Sequence, residues 1–147
     1  MIETISKLEQ LLEKSLNYLT QSPESEISKK VADEKWSKKE ILGYLIDSGI
    51  YNLQRFTEVQ YKKKPYRIDH YNQDELVKAN DYQNAEIKKI IALWDNINNW
   101  ILSVMKKQTP KTLVYKIELD KNKISDLSSL MKDYVEHLEH HLDQMIK

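Results

Sequence analysis

Apolar residues recur at helical spacing through four long segments of this chain, and almost no glycine or proline interrupts them. Only two of the 147 residues are glycine and three are proline. Tight turns use both residue types heavily, whereas long uninterrupted amphipathic segments are typical of helices. The pattern therefore predicts an all-α four-helix bundle that forms a single domain over residues 1–147.

The second predicted helix has the clearest start signal. Ser37 and Glu40 match a capping box, in which each residue satisfies a backbone N–H near the start of the helix. Trp36 and Ile41 flank this cap and match a hydrophobic staple. The four predicted helices cover approximately residues 2–20, 37–60, 81–107 and 125–147.

The connections between these helices differ in character. Residues 23–35 indicate a loop with at most a short turn, and the next connection carries a short helix near residues 73–78. Residues 112–119 are rich in β-branched and aromatic side chains, which predicts an extended crossing or a short hairpin. Ser125 is predicted to cap the fourth helix.

Three of the four histidines lie close together in the last predicted helix. His137 and His141 are one turn apart on its apolar stripe, whereas His140 is directed toward the polar flank. Two inward imidazoles at this spacing are a common way for a helix to supply two ligands to one metal ion. The alternative is a pair of histidines at the edge of the core that are hydrogen-bonded to their neighbours. The spacing favours a present or ancestral metal site.

A column of polar residues follows one face of the second predicted helix, with apolar residues on both sides. Its members are Tyr44, Ser48, Asn52 and Arg55. Polar groups inside a bundle must be hydrogen-bonded or must face a cavity. The column therefore predicts either an interhelical hydrogen-bond network or the wall of a polar pocket, and the residues alone do not choose between them.

Composition limits the function classes that need to be considered. The 23 acidic and 23 basic residues balance, so charge gives no support for binding to nucleic acid or to an anionic membrane. No apolar run is long enough for a membrane span, and the first residues do not resemble a signal peptide, so we expect a cytoplasmic protein. The absence of cysteine excludes disulfides, a thiolate zinc site and a cysteine nucleophile.

Several segments together resemble the DinB-like superfamily, which includes YfiT-type proteins regarded as metal-dependent hydrolases and bacterial thiol transferases. The matching segments are KWSKKEILGYLIDS at 35–48, Asn52, RF at 55–56 and YVEHLEHHL at 134–142, with a weaker match of YNQD at 71–74. The resemblance implies an up-down-down-up bundle and a metal site of three histidines. Two of these ligands match His137 and His141, but the third position is occupied by Tyr44.

The tyrosine changes what this site can hold. An imidazole binds divalent metals in its neutral form, whereas a phenol with an ordinary pKa of about 10 must first lose a proton. Tyr44 could therefore hydrogen-bond to an imidazole in a lost site, leave a weak metal site completed by water and by Glu40 or Asp47, or bind as phenolate. We expect the first outcome, with His137, His141 and Tyr44 converging in one cavity. A divalent ion, zinc or nickel, would then bind weakly or not at all.

Two functions follow from these expectations. The first is a DinB-like protein with a degenerate metal site, either binding a small molecule in the bundle pocket or acting as a dimeric, stress-related accessory protein. The second is a divalent-metal-dependent hydrolase or thiol S-transferase that uses His137 and His141. The predicted pocket residues are Ser48, Asn52, Arg55, Asp47 and Glu40.

A homodimer is also expected, because the chain carries apolar residues in excess of one stripe per helix and the resemblance implies pairing through bundle faces. The residues in excess are Ile46, Ile50, Leu93 and Trp100.

Overall fold

Four long helices form the body of the protein, as their apolar periodicity predicts. The computed structural model describes every residue from Met1 to Lys147. The long helices are α1 (Ile2–Gln21), α3 (Lys38–Glu58), α5 (Ile87–Lys106) and α7 (Leu127–Ile146). The short elements are α2 (Glu24–Ile27), α4 (Gln73–Asn80), α6 (Pro110–Leu113), β1 (Tyr66–Arg67), β2 (Lys116–Asp120) and β3 (Lys123–Asp126).

The packing of the long helices defines the interior. α1 packs against α5 and α7, and α3 packs against the same two helices. The pairs α1/α3 and α5/α7 therefore lie across the diagonals of the bundle. The core between them includes the fully buried Trp94, whose indole Nε1 donates to the Ser15 hydroxyl at 3.0 Å, so its single polar group is satisfied. None of the helices has the length and apolarity needed to cross a membrane.

The predicted start of α3 is confirmed. The Glu40 backbone N–H donates to Ser37 Oγ at 3.1 Å, and the Ser37 backbone N–H donates to the Glu40 carboxylate at 3.0 Å. This capping box satisfies two backbone donors that a helix start leaves unpaired. Ser37 Oγ also donates to Gln83 Oε1 at 2.5 Å, which ties the start of α3 to the segment before α5.

The third long helix begins later than its predicted start near residue 81. Asp81 adopts a left-handed conformation with φ 51° and ψ 48°, which ends α4. A short 3₁₀ turn at Tyr82–Asn84 then separates α4 from α5. A non-glycine residue in this conformation interrupts a helix, and hydrophobic periodicity does not reveal it.

The prediction of an all-α protein is incomplete, because the structure contains a small three-stranded sheet. β2 and β3 form an antiparallel hairpin, which confirms one of the two alternatives for the region after α5. β1 pairs with β2 in parallel and was not predicted, since two residues carry no detectable periodicity. The prediction that Ser125 caps α7 is wrong. Ser125 lies in β3, and Asp126 Oδ1 accepts the Ser129 N–H at 2.8 Å as the cap.

Candidate functional site

Tyr44 on α3 lies directly against two histidines on α7. Its hydroxyl is 2.6 Å from His137 Nε2. The ring centroids of Tyr44 and His141 are 5.0 Å apart, and those of His137 and His141 are 4.5 Å apart. Each of these ring pairs meets edge to face. The structure thus brings together the three residues at the ligand positions that the sequence singles out.

Burial controls the protonation of this cluster. Loss of solvent raises the pKa of the Tyr44 hydroxyl to about 12, with a smaller contribution from Tyr71. Burial also lowers the pKa of His137, helped by the charge of His140. Burial lowers the pKa of His141 as well, helped by the charges of His137 and His140 and opposed by a hydrogen bond with Gln144. Near neutral pH the phenol therefore keeps its proton and both imidazoles are neutral. The hydrogen bond between Tyr44 and His137 joins two uncharged groups.

The donor set of this cluster differs from that of an ordinary catalytic zinc site. A catalytic zinc site ordinarily uses three protein ligands and one water. His137 Nε2 is already hydrogen-bonded to the Tyr44 hydroxyl. Burial makes that hydroxyl costly to deprotonate. No three side chains among histidine, cysteine, aspartate and glutamate are arranged to share an ion. The cluster offers two imidazoles and one neutral hydroxyl.

The two carboxylates that the sequence suggests as further ligands have other partners. Glu40 accepts from the Ser37 N–H at 3.0 Å and pairs with Lys30 Nζ at 2.8 Å. Asp47 Oδ1 accepts from the Tyr82 hydroxyl at 2.5 Å and from Asn80 Nδ2 at 3.2 Å. Glu40 is therefore engaged at the helix cap and Asp47 with Asn80 and Tyr82, and neither residue lines the two cavities beside the histidines.

The polar column of α3 lines a cavity of about 340 Å³, which is called the Arg55 cavity here. Within the column, Asn52 Nδ2 donates to the Ser48 carbonyl at 2.8 Å and to Ser48 Oγ at 3.3 Å, so these bonds stay inside one helix. Apart from Tyr44, which hydrogen-bonds to His137 on α7, the column matches a pocket wall better than an interhelical network. The lining residues are Tyr44, Ser48, Asn52, Arg55, Tyr71, Gln73, Leu130, Asp133, Tyr134 and His137.

A second cavity of about 410 Å³, the Trp36 cavity, lies on the other side of Tyr44. His137 lines the Arg55 cavity and His141 lines the Trp36 cavity, while Tyr44 and Gln73 border both. The three side chains meet at Tyr44, which borders both cavities, and one histidine lines each cavity.

The rim of the Arg55 cavity combines the predicted pocket residue Arg55 with residues from the connection between α3 and α5. Arg55 Nη2 donates to the Asp69 carbonyl at 2.6 Å, and its guanidinium lies 5.5 Å from the centre of the Tyr71 ring. Tyr71 in turn stacks on Tyr51 with ring centroids 4.2 Å apart. The weak family match at 71–74 was the available signal for Tyr71 and its neighbour Gln73. Only helical spacing, one turn before His137, indicated that Asp133 lies near this site.

Comparison with known proteins establishes the family. The family model of the DinB superfamily matches residues 7–145. The chain belongs to the DinB superfamily. No curated protein has significant sequence similarity to it.

Three solved structures share the DinB fold with this protein. YfiT from Bacillus subtilis, a probable metal-dependent hydrolase with an unusual four-helix bundle topology, is 19% identical with a TM-score of 0.84, over 97% of this chain and 82% of YfiT. The mycothiol-dependent maleylpyruvate isomerase is 8% identical with a TM-score of 0.77, over 97% of this chain and 59% of the isomerase. An uncharacterised protein from Clostridium difficile 630 is 14% identical with a TM-score of 0.74, over 97% of this chain and 91% of that protein. At these identities the likeness establishes the fold alone.

Proposed function

We propose that this DinB protein has a degenerate metal site and binds a small polar molecule in the Arg55 cavity. The observation that carries the proposal is the 2.6 Å hydrogen bond between Tyr44 and His137. It occurs at the position where the family resemblance implies a third histidine. A phenol with a pKa of about 12 holds its proton and keeps His137 engaged.

The chemistry of the Arg55 cavity supports a ligand-binding role. Small-molecule sites are typically concave spaces of roughly 300–1,000 Å³ with a few well-placed polar groups. This cavity reaches the lower end of that range and presents hydroxyl, amide and charged side chains from α3. Ser48 and Asn52 are buried there, at 3% and 8% exposure, and the hydrogen bonds of the Asn52 amide nitrogen stay within α3.

The retained histidines favour a second candidate function, a divalent-metal-dependent hydrolase or thiol transferase. His137 and His141 are adjacent and neutral near neutral pH, which is the state that binds metals. YfiT, which shares the fold, is a probable metal-dependent hydrolase. This function would require the Tyr44 hydroxyl to leave His137 and a further donor to replace it.

The proposed pocket assumes a single-domain bundle over residues 1–147 with the up-down-down-up order. Contacts between α1 and α7 follow the same order along both helices, which supports a parallel pair. Contacts of α1 with α5, and of α3 with α7, run in opposite orders, which supports antiparallel pairs. These contacts are Lys7–Glu139, Lys14–Asp143, Glu9–Lys106, Ser15–Trp94, Tyr44–His137 and Phe56–Tyr134.

Ligand binding can be tested by obstructing the cavity from its exposed rim. Thermal shift and calorimetry would use separate panels of amino acids, carboxylic acids, amines, sugars and thiols. We expect at least one panel to stabilise the wild type, by about 2.7 kcal/mol at a hundredfold excess over Kd. Gln73→Trp should abolish this gain, because Gln73 is exposed and borders both cavities.

Gln10→Trp is the matched control, since Gln10 is exposed on α1 and lines neither cavity. It should leave the stabilisation intact. If no panel stabilises the wild type, or if Gln73→Trp binds as well as the wild type, the proposed function is wrong.

A homodimer through one bundle face also belongs to this proposal. Ile50, Leu93 and Trp100 are 44%, 41% and 58% exposed, and Leu93 and Trp100 lie two turns apart on one face of α5. Exposed apolar residues that share one helix face can contribute to an interaction surface. Ile46, which the sequence analysis included, is fully buried in the core and cannot contribute.

Trp100→Glu should convert the dimer to a monomer in light scattering at micromolar concentration, because a charge at this face would lose its solvent on pairing. Tyr61→Glu is the control, since Tyr61 is 69% exposed on another part of the surface and its replacement should leave a dimer. A monomeric mass for the wild type would contradict the homodimer.

A further inference from the structure

The Arg55 cavity has lining charges of both signs that the protein itself does not pair. We propose that its ligand is a small zwitterion with one carboxylate and one ammonium group, as in a free amino acid. This inference rests on the proposed function and names the ligand class of the same site.

Arg55 and Asp133 are the two charged residues of the lining. Neither takes part in an ion pair with another residue. One N–H of Arg55 donates to the Asp69 carbonyl, and its other N–H groups have no hydrogen-bond partner in the protein. That bond and the Tyr71 ring hold the guanidinium in place at the cavity. A positioned guanidinium with free N–H groups is well suited to bind a carboxylate through two hydrogen bonds.

Two hydrogen-bond acceptors on the same cavity, Asp133 and Asn52, favour a ligand that also carries a donor. Asp133 is exposed on α7, and its carboxylate lines the cavity without a hydrogen-bond or ion-pair partner in the protein. Asn52 is 8% exposed, and both of its hydrogen bonds use its amide nitrogen, which leaves Oδ1 free. Both acceptors reach solvent in the free protein, so an ammonium group would replace water with charge-assisted hydrogen bonds. An ammonium group can donate to Asp133 and to Asn52 at the same time.

These two charges together favour a ligand that carries both an anionic and a cationic group. A carboxylic acid without an amine would satisfy Arg55 but would lie near the negative charge of Asp133. An amine without a carboxylate would leave the free N–H groups of Arg55 without an acceptor. The volume of about 340 Å³ limits the zwitterion to a small molecule. The Trp36 cavity is lined by Glu34, Lys35 and Asp74 but has no guanidinium to bind a carboxylate through two hydrogen bonds, so the inference concerns the Arg55 cavity.

The test is calorimetric titration of the wild type with each of the twenty proteinogenic L-amino acids. The tightest binder is then compared with its C-terminal amide and its N-acetyl derivative, each of which removes one charge from nearly the same skeleton. We expect each derivative to bind about tenfold more weakly, as for the loss of a hydrogen bond to a charged group. The inference is overturned if none of the twenty amino acids binds, or if the derivatives bind as tightly as the parent amino acid.

Variants assign each charge to its residue. Asp133→Asn should weaken the amino acid about tenfold and leave the N-acetyl derivative unchanged, since that derivative has no ammonium. Arg55→Gln should weaken the amino acid and leave the amide unchanged. Glu136→Gln is the matched control, because Glu136 is exposed on the next turn of α7 and does not line the cavity. If Glu136→Gln weakens binding as much as Asp133→Asn, Asp133 makes no direct contact and the inference fails.

The result also separates this inference from the function on which it rests. Binding of acids, amines, sugars or thiols, blocked by Gln73→Trp, with no binding of any amino acid, would overturn the zwitterion and keep the proposed function. Absence of binding for every panel would overturn both. Binding of an amino acid that both charge variants weaken in the expected pattern supports both.

Discussion

Replacing Tyr44 by histidine is expected to create a three-imidazole site that binds zinc or nickel at least roughly a hundredfold more tightly than the wild type. The packing of α3 against α7 already holds the side chain of residue 44 beside His137 and His141. A third neutral nitrogen donor needs no deprotonation near neutral pH, whereas the Tyr44 hydroxyl has a pKa of about 12. A hundredfold difference corresponds to about 2.7 kcal/mol of binding free energy.

The measurement is calorimetric titration of tag-free protein with zinc and with nickel, together with thermal unfolding in the presence of each metal. Because the metal binds the folded site, the variant should also gain thermal stability when metal is added. Tyr44→Phe is the control that separates two effects. It frees the nitrogen of His137 but adds no ligand, so its affinity should stay far below that of Tyr44→His. Equal affinities in the wild type and Tyr44→His, whether tight or absent, would show that Tyr44 does not decide metal binding.

Replacing Gly43 by alanine is expected to destabilise the fold by about 3 kcal/mol, from overpacking together with a lost buried hydrogen bond. A Cβ atom at Gly43 would lie 2.1 Å from Cδ2 and 2.3 Å from Cγ of the Tyr82 ring. That ring is buried, and its hydroxyl donates to Asp47 Oδ1 at 2.5 Å. The ring must move, which removes a donor from a buried carboxyl whose other oxygen, Oδ2, already has no partner.

Thermal and chemical unfolding would measure this loss, which corresponds to a fall in Tm of roughly 6–12 °C for a domain of about this size. Gly49→Ala is the matched control within the same helix. Its Cβ would lie 3.0 Å from Ile97 Cγ2 and 3.2 Å from the Tyr134 hydroxyl, so only small shifts are needed. Tyr82→Phe isolates the hydrogen bond and should lose about 1–3 kcal/mol. A Gly43→Ala protein no less stable than Gly49→Ala would mean that Tyr82 has room to move.

These two predictions concern residues that the sequence analysis treated differently. Tyr44 was singled out by its place in a family pattern, and the structure adds the atom that it contacts. The low number of glycines indicated only that the chain has few tight turns. Both glycines in fact lie inside α3. At Gly43 the reason is the close approach of Tyr82, a residue far away in the sequence.

Periodicity, capping and spacing alone determined much of this protein. The four long helices, the capping box at Ser37 and the buried stripe of α7 follow from interactions within one or two helical turns, which a local pattern records. Membership of the DinB superfamily also follows from the sequence. The proximity of Tyr44 to His137 and His141 was expected because the family pattern supplies the pairing of α3 with α7.

Only the tertiary structure decided which groups meet across the bundle. It pairs β1 with β2 and places the Tyr44 ring between two cavities. It also makes Tyr82, rather than a histidine, the hydrogen-bond partner of Asp47. Each of these outcomes depends on how side chains from distant segments fill a shared space and satisfy buried polar groups. Local sequence carries no record of such a partner, because its choice is made only when the helices pack.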